Sequence, residues 1–280
     1  MRGDLRLSTE FRPITIETNL ISCKDGSSCV IYGKTKIISS ILGPKQSKYS
    51  KFEIFNHLSV DVDVDFAYKN SMDNLTSTTV NTATSAANIT TQGYSNNNND
   101  NLMKKKYSKF IKDSIFPCVD IYKFPRMLLS IHVLIINDDG SSLPIAVNAS
   151  ILALLDAGIP MLYYIQSISI ILLSSYKDNN NDHNNDMNNH DNNNEHQLIV
   201  DPCSEEERQC KAMFTFSIVC NDDNNNVDNN KNDHYGTKIL LNESIGRFDH
   251  EVLIDAAKLA LDSIQTLSKL TREAITSNLK

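Results

Sequence analysis

FPRMLLSIHVLIINDDGSSLPIAVNASILALLDAGIPM, residues 124–161, decides how the rest of the chain is read, because it spells strand, turn and helix in succession. Residues 127–136 are rich in Leu, Ile and Val, with Pro125 before them and Asn137-Asp138-Asp139-Gly140 after them. That pattern predicts a largely buried strand ending in a tight turn. Over residues 145–157 the small Ala146, Ala149, Ser150 and Ala153 interleave with Ile151, Leu154 and Leu155 at helical spacing. A helix is predicted there, with a face able to press closely on a sheet. Gly158 and Pro160 end it, Gly by accepting a left-handed cap and Pro by lacking the N–H to continue.

Upstream, residues 12–16 and 20–22 predict short strand pieces. Asp25-Gly26 makes a hairpin turn into residues 28–32, and Gly33-Lys34-Thr35 turns into a strand over 36–42 that Gly43-Pro44 ends. Leu58, Val60, Val62, Val64 and Phe66 then alternate with Ser59, Asp61, Asp63 and Asp65, the period of a strand. The aspartates read as the wet face of an edge strand, since no nearby His or Glu completes a metal shell. Residues 102–121 have helical character through Phe110, Ile111, Ile115 and Val119, with Pro117 breaking the ladder.

Downstream, residues 159–173 are apolar but contain Gln166, Ser167 and Ser169. They fall short of the roughly 18 to 20 residues that cross a bilayer, so a buried strand is predicted and no membrane association. Further strands follow at 198–200, 213–219 and 238–241. Residues 248–278 predict a long amphipathic helix lying across the sheet, with Val252, Ala256, Leu259, Ala260, Ile264, Leu267 and Leu270 on its apolar stripe.

Three tracts of this 280-residue chain, 70–101, 178–195 and 221–233, are rich in Asn, Asp, Ser and Thr. Such composition buries too little apolar surface to offset the entropy of ordering, so the tracts are predicted to be disordered insertions in a single domain of roughly 210 residues. The net charge of −7 excludes a global positive field, and any contact with nucleic acid has to be local. Lys104, Lys105, Lys106, Lys109 and Lys112 are the local candidate, although a lysine run beside a low-complexity tract is ordinarily a solvated flank. The 6 cysteines include no Cys-x-x-Cys pair and the first residues carry no apolar core, so free thiols in a reducing compartment are expected. Cys203 and Cys210 lie among acids that raise a thiol pKa, which argues against an activated nucleophile. Asp182, His183, Asp186, His190, Asp191 and Glu195 fall in the second tract, with His196 directly after it, and have no scaffold to fix a metal. No metal and no cofactor are expected.

The run PR…DDGSSLPIAVNASILALLDAGIPM resembles the ribonuclease PH-like domain family. The family's upstream pattern is matched by Glu10-Phe11-Arg12-Pro13-Ile14-Thr15-Ile16-Glu17, Asp25-Gly26-Ser27, Gly33-Lys34-Thr35-Lys36 and Gly43-Pro44. Val200-Asp201-Pro202 with its acidic run, MFTFSIV and the C-terminal helix keep the family's order. SKFEIFN (50–56) and VDPCSEEE (200–207) are most similar to eukaryotic RNA exosome ring subunits, in the branch called ribosomal RNA processing protein forty-six. The resemblance implies an α/β (α+β) fold of the ribosomal protein S5 domain 2-like class, a mixed sheet packed by two or three helices.

It also implies where chemistry would reside. In active relatives an Arg in the turn, with the helix N-terminus, binds phosphate; counting back from Asn148, that position is Leu143, followed by Pro144. Two aspartates six apart bind a metal or move a proton in those relatives; Asp201 and Glu207 stand here, the second one methylene longer. The resemblance therefore implies no catalytic residue, a vestigial acidic site at Asp201 and Glu207, and RNA contacts by Lys109, Lys112 and Arg126. Implied partners are other RNase PH-like subunits in a hetero-hexameric ring, cap subunits, a separate hydrolytic nuclease and single-stranded RNA, in the nucleus, nucleolus and cytoplasm. The role would be structural, in 3'-to-5' RNA processing and degradation, including rRNA maturation and mRNA turnover. Two other readings stay open, an active phosphate-dependent 3'-to-5' exoribonuclease and an interaction scaffold that uses its Asn-rich insertions.

Overall fold

A computed structural model describes residues 2, 6–46, 54–67, 93–173, 197–220 and 237–278. Strands β1 (Ile14–Thr18), β2 (Gly26–Tyr32), β3 (Thr35–Gln46), β4 (Ser59–Phe66) and β5 (Met127–Asn137) build the first sheet, in the order β1-β2-β3-β5-β4. Helix α1 (Gly93–Ile115) precedes β5, and α2 (Ser142–Asp156) follows it. Strands β6 (Tyr164–Leu173), β7 (Gln197–Val200), β8 (Cys210–Cys220) and β9 (Thr237–Gly246) form a second sheet, ordered β7-β6-β8-β9. The short α3 (Ser204–Gln209) joins β7 to β8, and α4 (His250–Asn278) follows β9. The α/β class expected from sequence stands, but the single sheet is in fact two. The first is mixed, because β4 runs parallel to β5, and the second is antiparallel throughout.

Helix α2 holds the sheets together. Every residue from Ser142 to Leu154 is buried, because the helix packs on β2, β3 and β5 on one side and on β6 and β8 on the other. An all-round apolar helix is what a central layer requires. Its buried polar groups are paired: Asn148 Nδ2 donates to Ser167 O at 2.9 Å, and Ser167 N donates back to Asn148 Oδ1 at 2.7 Å. Ser28 Oγ donates to Ala149 O at 2.7 Å, tying the helix to β2 as well. Gly158, at φ +67, caps α2 as its sequence predicts, with its N–H donating to Leu155 O.

Several boundaries differ from the sequence reading. Residues 20–22 form no strand; Asn19 N and Ile21 N donate to Ser27 O and Oγ instead, so a local turn satisfies the backbone. β3 does not stop at Gly43-Pro44 but passes through it, the pairing with β5 shifting between Leu42 and Lys45. A bulge thus absorbs the pair that would otherwise break a strand. β5 is only half buried, since His132 and Leu134 face outward. α1 starts at Gly93 rather than near 102, taking in the end of the first Asn-rich tract, and ends two residues before Pro117. The rest of that tract before residue 93, and the tracts at 178–195 and 221–233, lie outside the described residues.

The alternation in β4 is realised on the edge of the first sheet, with Val60, Val64 and Phe66 buried. Asp65 accepts from Lys104 at 2.7 Å and Asp63 lies 3.8 Å from His132. α4 covers β1, β6 and β8 with Val252, Ala256, Ala260, Ile264 and Leu267 buried. Leu270 is exposed; helical drift brings Thr271 inward instead, where its Oγ1 accepts from Gln166 Nε2 at 2.8 Å.

The sheet-to-helix approach at Gly26 is close enough to test. A Cβ there would sit 2.4 Å from Ala153 O and 2.6 Å from Ala157 Cβ, with backbone that cannot yield. Gly26→Ala is expected to destabilise the fold by about 1–3 kcal/mol, seen as a lower urea midpoint.

Candidate functional site

The turn between β5 and α2 is where the resemblance locates phosphate chemistry, and here it is closed by its own neighbours. Gly140 sits at φ +91, where a Cβ would lie 2.6 Å from Pro202 O, so only glycine fits, and Ser141 follows at φ +55. Ser141 N donates to Glu207 Oε1 at 2.7 Å and Ser141 Oγ to Pro202 O at 3.0 Å. The Ser142 hydroxyl is 2.8 Å from Tyr107 OH on α1. Leu143, where the resemblance would put the family's Arg, is buried in the first turn of α2. A cavity of about 10 Å³ lies on the inner side of the turn, beside Ser141, Pro144, Ser169 and Asp201. That is at the limit for a single water.

Asp201 follows β7 at φ +49 and is clasped by Arg12. Arg12 N and Nε each donate to Asp201 Oδ2 at 3.0 Å, and Nη2 donates to Oδ1 at 2.6 Å. The remaining donors reach Asp139 O at 2.8 Å, Gly140 O at 3.2 Å and Thr35 Oγ1 at 3.3 Å. Both side chains are nearly inaccessible, 5% and 3% exposed. A bidentate, fully satisfied buried pair of this kind fixes backbone, here the junction of β1, the β5–α2 turn and β7. Asp201 and Glu207 therefore do not act on a common partner: the first is held by Arg12, and the second holds Ser141.

Sequence reasoning passed over the cations of this cluster. Arg2 is buried and donates through Nε to Glu206 Oε1 at 2.9 Å and through Nη2 to Val200 O at 2.9 Å and Asp201 O at 3.0 Å. Arg6 lies 3.8 Å from Asp201. No periodicity marks such residues, whose partners stand almost two hundred positions along the chain. With Lys34, Asp139, Glu205 and Glu206 the arginines line a cavity of about 690 Å³, in whose wall Arg2 pairs with Glu206 at 2.9 Å.

The acids differ electrostatically. Burial pushes the Glu207 carboxyl above its ordinary range, and the charges of Asp138 and Asp201 add to this while Ser141 N–H and Arg12 oppose it. Burial also works against Glu206, yet the hydrogen bonds from Arg2 and from Cys203 N–H outweigh it and hold that carboxyl low. Burial raises the Cys210 thiol, with Glu207 adding to it, so desolvation rather than neighbouring acid is the main cause. Cys118 is pushed up to about 12 by burial.

The residues expected to meet RNA lie elsewhere. Lys104 and Lys106 pair with Asp65 and with Glu243, whereas Lys105, Lys109 and Lys112 form an exposed stripe along α1. Arg126 takes φ +62, donates its N–H to Ile54 O at 3.1 Å, and lays its guanidinium over the Phe55 ring, 4.2 Å from the centroid. Among the described residues no cluster of His, Cys, Asp and Glu could hold a metal ion, and no helix is long and apolar enough to cross a membrane.

Arg12→Ala strands the Asp201 charge and is expected to cost about 3–5 kcal/mol, measured by chemical denaturation. Glu207 has a folded-state pKa above its ordinary 4.5. Its contribution is thus fully present below that value and is lost as pH rises through the folded pKa. Glu207→Gln keeps an acceptor for Ser141 N but removes the charge. Its midpoint advantage over wild type is expected to grow from about pH 4 to about pH 7; a constant difference would contradict the assignment.

Several known proteins are similar to this chain in sequence or in fold. Exosome complex component Rrp41 of Archaeoglobus fulgidus is 24% identical over 275 residues, 98% of this chain and 86% of that protein. Exosome complex component RRP41-like of Arabidopsis thaliana is 23% identical over 219 residues, 78% and 67% of the two chains. The crystal structure of rice (Oryza sativa) Rrp46 has the same fold, with TM-score 0.66 at 18% identity over 99% of this chain and 100% of that one. A chain of an archaeal exosome core matches at TM-score 0.62 and 15% identity, covering 96% and 91%. Residues 10–160 match the RNase_PH family model, described as the 3' exoribonuclease family, domain 1, and the chain belongs to that family.

Proposed function

We propose that this protein is a structural, non-catalytic subunit of an RNA exosome ring, supporting 3'-to-5' RNA processing and degradation such as rRNA maturation and mRNA turnover. The similarity to Rrp41 proteins over most of their length and the fold shared with rice Rrp46 support membership of such a ring. The observation that carries the non-catalytic half is the sealed turn. Leu143 offers no cation, and Glu207 takes the Ser141 N–H that an external anion would use. An attacking anion would also meet Asp138, Asp139 and Glu207, while the nearest guanidinium is committed to Asp201. Phosphorolysis needs fixed positive charge at the site of attack, and this arrangement supplies the reverse.

In this role the partners are other RNase PH-like subunits in a hetero-hexameric ring, cap subunits and a separate hydrolytic nuclease, with single-stranded RNA passing through. Lys109, Lys112 and Arg126 are the proposed RNA contacts, and Asp201 and Glu207 keep the fold rather than the chemistry. Residence in the nucleus, the nucleolus and the cytoplasm goes with this assignment. The test pairs two measurements on the wild-type chain. Mass spectrometry of a tagged form isolated from its own cells should recover RNase PH-like subunits. The purified protein, given single-stranded RNA and orthophosphate, should release no nucleoside diphosphate. Phosphate-dependent shortening of the RNA would overturn the non-catalytic reading, and isolation without ring partners would overturn the assembly.

A further inference from the structure

Three loops meet at one end of the first sheet. Arg126 N donates to Ile54 O, Leu58 N to Ile121 O, Asp120 N to Pro160 O and Leu162 N to Cys118 O, so residues 54–58, 118–126 and 160–163 are stitched into one surface. That surface carries Phe55, Tyr122 and Tyr163 at 69%, 73% and 50% exposure. Three aromatic rings this open, on loops whose backbone is hydrogen-bonded, leave unused a great deal of area that burial would favour. The cations present are Arg126, stacked on Phe55, and Lys123, whose Nζ lies 3.1 Å from Asp120. The net charge of the surface is positive although that of the chain is −7.

We infer that Tyr122, Tyr163 and the Phe55–Arg126 stack form a platform on which bases of single-stranded RNA stack. Open π-faces beside a guanidinium plane suit unpaired bases, which present a flat ring whatever their sequence. The local positive charge meets the phosphate backbone, and no acid except the paired Asp120 among these loop residues opposes it. Phosphate contacts alone would need no aromatic residue, so this goes beyond the lysine and arginine contacts proposed above. It rests on the reading of the protein as an RNA-handling subunit.

Binding of fluorescein-labelled oligo(U) and oligo(A) to the full-length wild-type, Tyr122→Ala, Tyr163→Ala, Tyr122→Phe and Tyr163→Phe proteins tests it, at two salt concentrations. Each Ala variant should bind about fivefold to a hundredfold more weakly with an unchanged salt slope. The Phe variants should bind as wild type does, and both oligomers should behave alike. Unaltered binding by the Ala variants, or no binding by wild type, overturns the platform. Loss of co-isolated ring subunits in the Ala variants with RNA binding intact would also overturn it, assigning the surface to a protein contact. None of these outcomes decides the non-catalytic ring reading, which depends on partners and orthophosphate chemistry in the wild-type chain.

Discussion

The burial of α2 between two sheets is the constraint on which everything else rests. A helix with sheet on both sides can present no wet face, so its sequence is restricted to small and aliphatic residues plus a few polar groups that find partners. Asn148 and Ser167 satisfy one another across the gap to β6, and Ser28 reaches the backbone of the helix from β2. These bonds fix rotation and register where apolar packing alone would tolerate slippage. The position of the head of α2, and with it the β5–α2 turn, is then determined by the core.

Given that position, the surroundings of the turn decide what it can do. The N-terminus of a buried helix favours negative charge, and proteins use it to hold external anions. In this chain the demand is met internally by Glu207 from α3, while α1 contributes Tyr107 to Ser142. The same segment that brings Glu207 also brings Asp201 to Arg12, so the acidic run after β7 functions as mortar between the N-terminal arm, the turn and the second sheet. The closure is a consequence of packing and charge together rather than of a single replaced residue.

Much of this is legible in the sequence. Period-two alternation located β4, helical spacing located α2 and α4, and Gly158 marked the end of α2, because each signal is local. The turn's lack of a cation was visible at Leu143. What escaped is non-local. That Asp201 is a partner of Arg12 rather than a leftover acid, and that Arg2 is buried at all, depends on contacts spanning almost the whole chain. The division into two sheets was hidden for the same reason, since strand composition says little about which strands become neighbours. β3 outran its expected end because a bulge accommodates Gly43 and Pro44.

The arginine arm has a temporal meaning. All five strands of the first sheet lie within residues 14–137, so that sheet can assemble from the first half of the chain. Arg2 and Arg12, by contrast, close on Val200, Asp201 and Glu206, which are synthesised long afterwards. During translation these two arginines would wait through nearly two hundred residues for their partners, their guanidiniums hydrated until β7 and α3 arrive. Sequence-distant closures of this kind slow folding, and they make the arm a late seal set only once the second half of the molecule has been built.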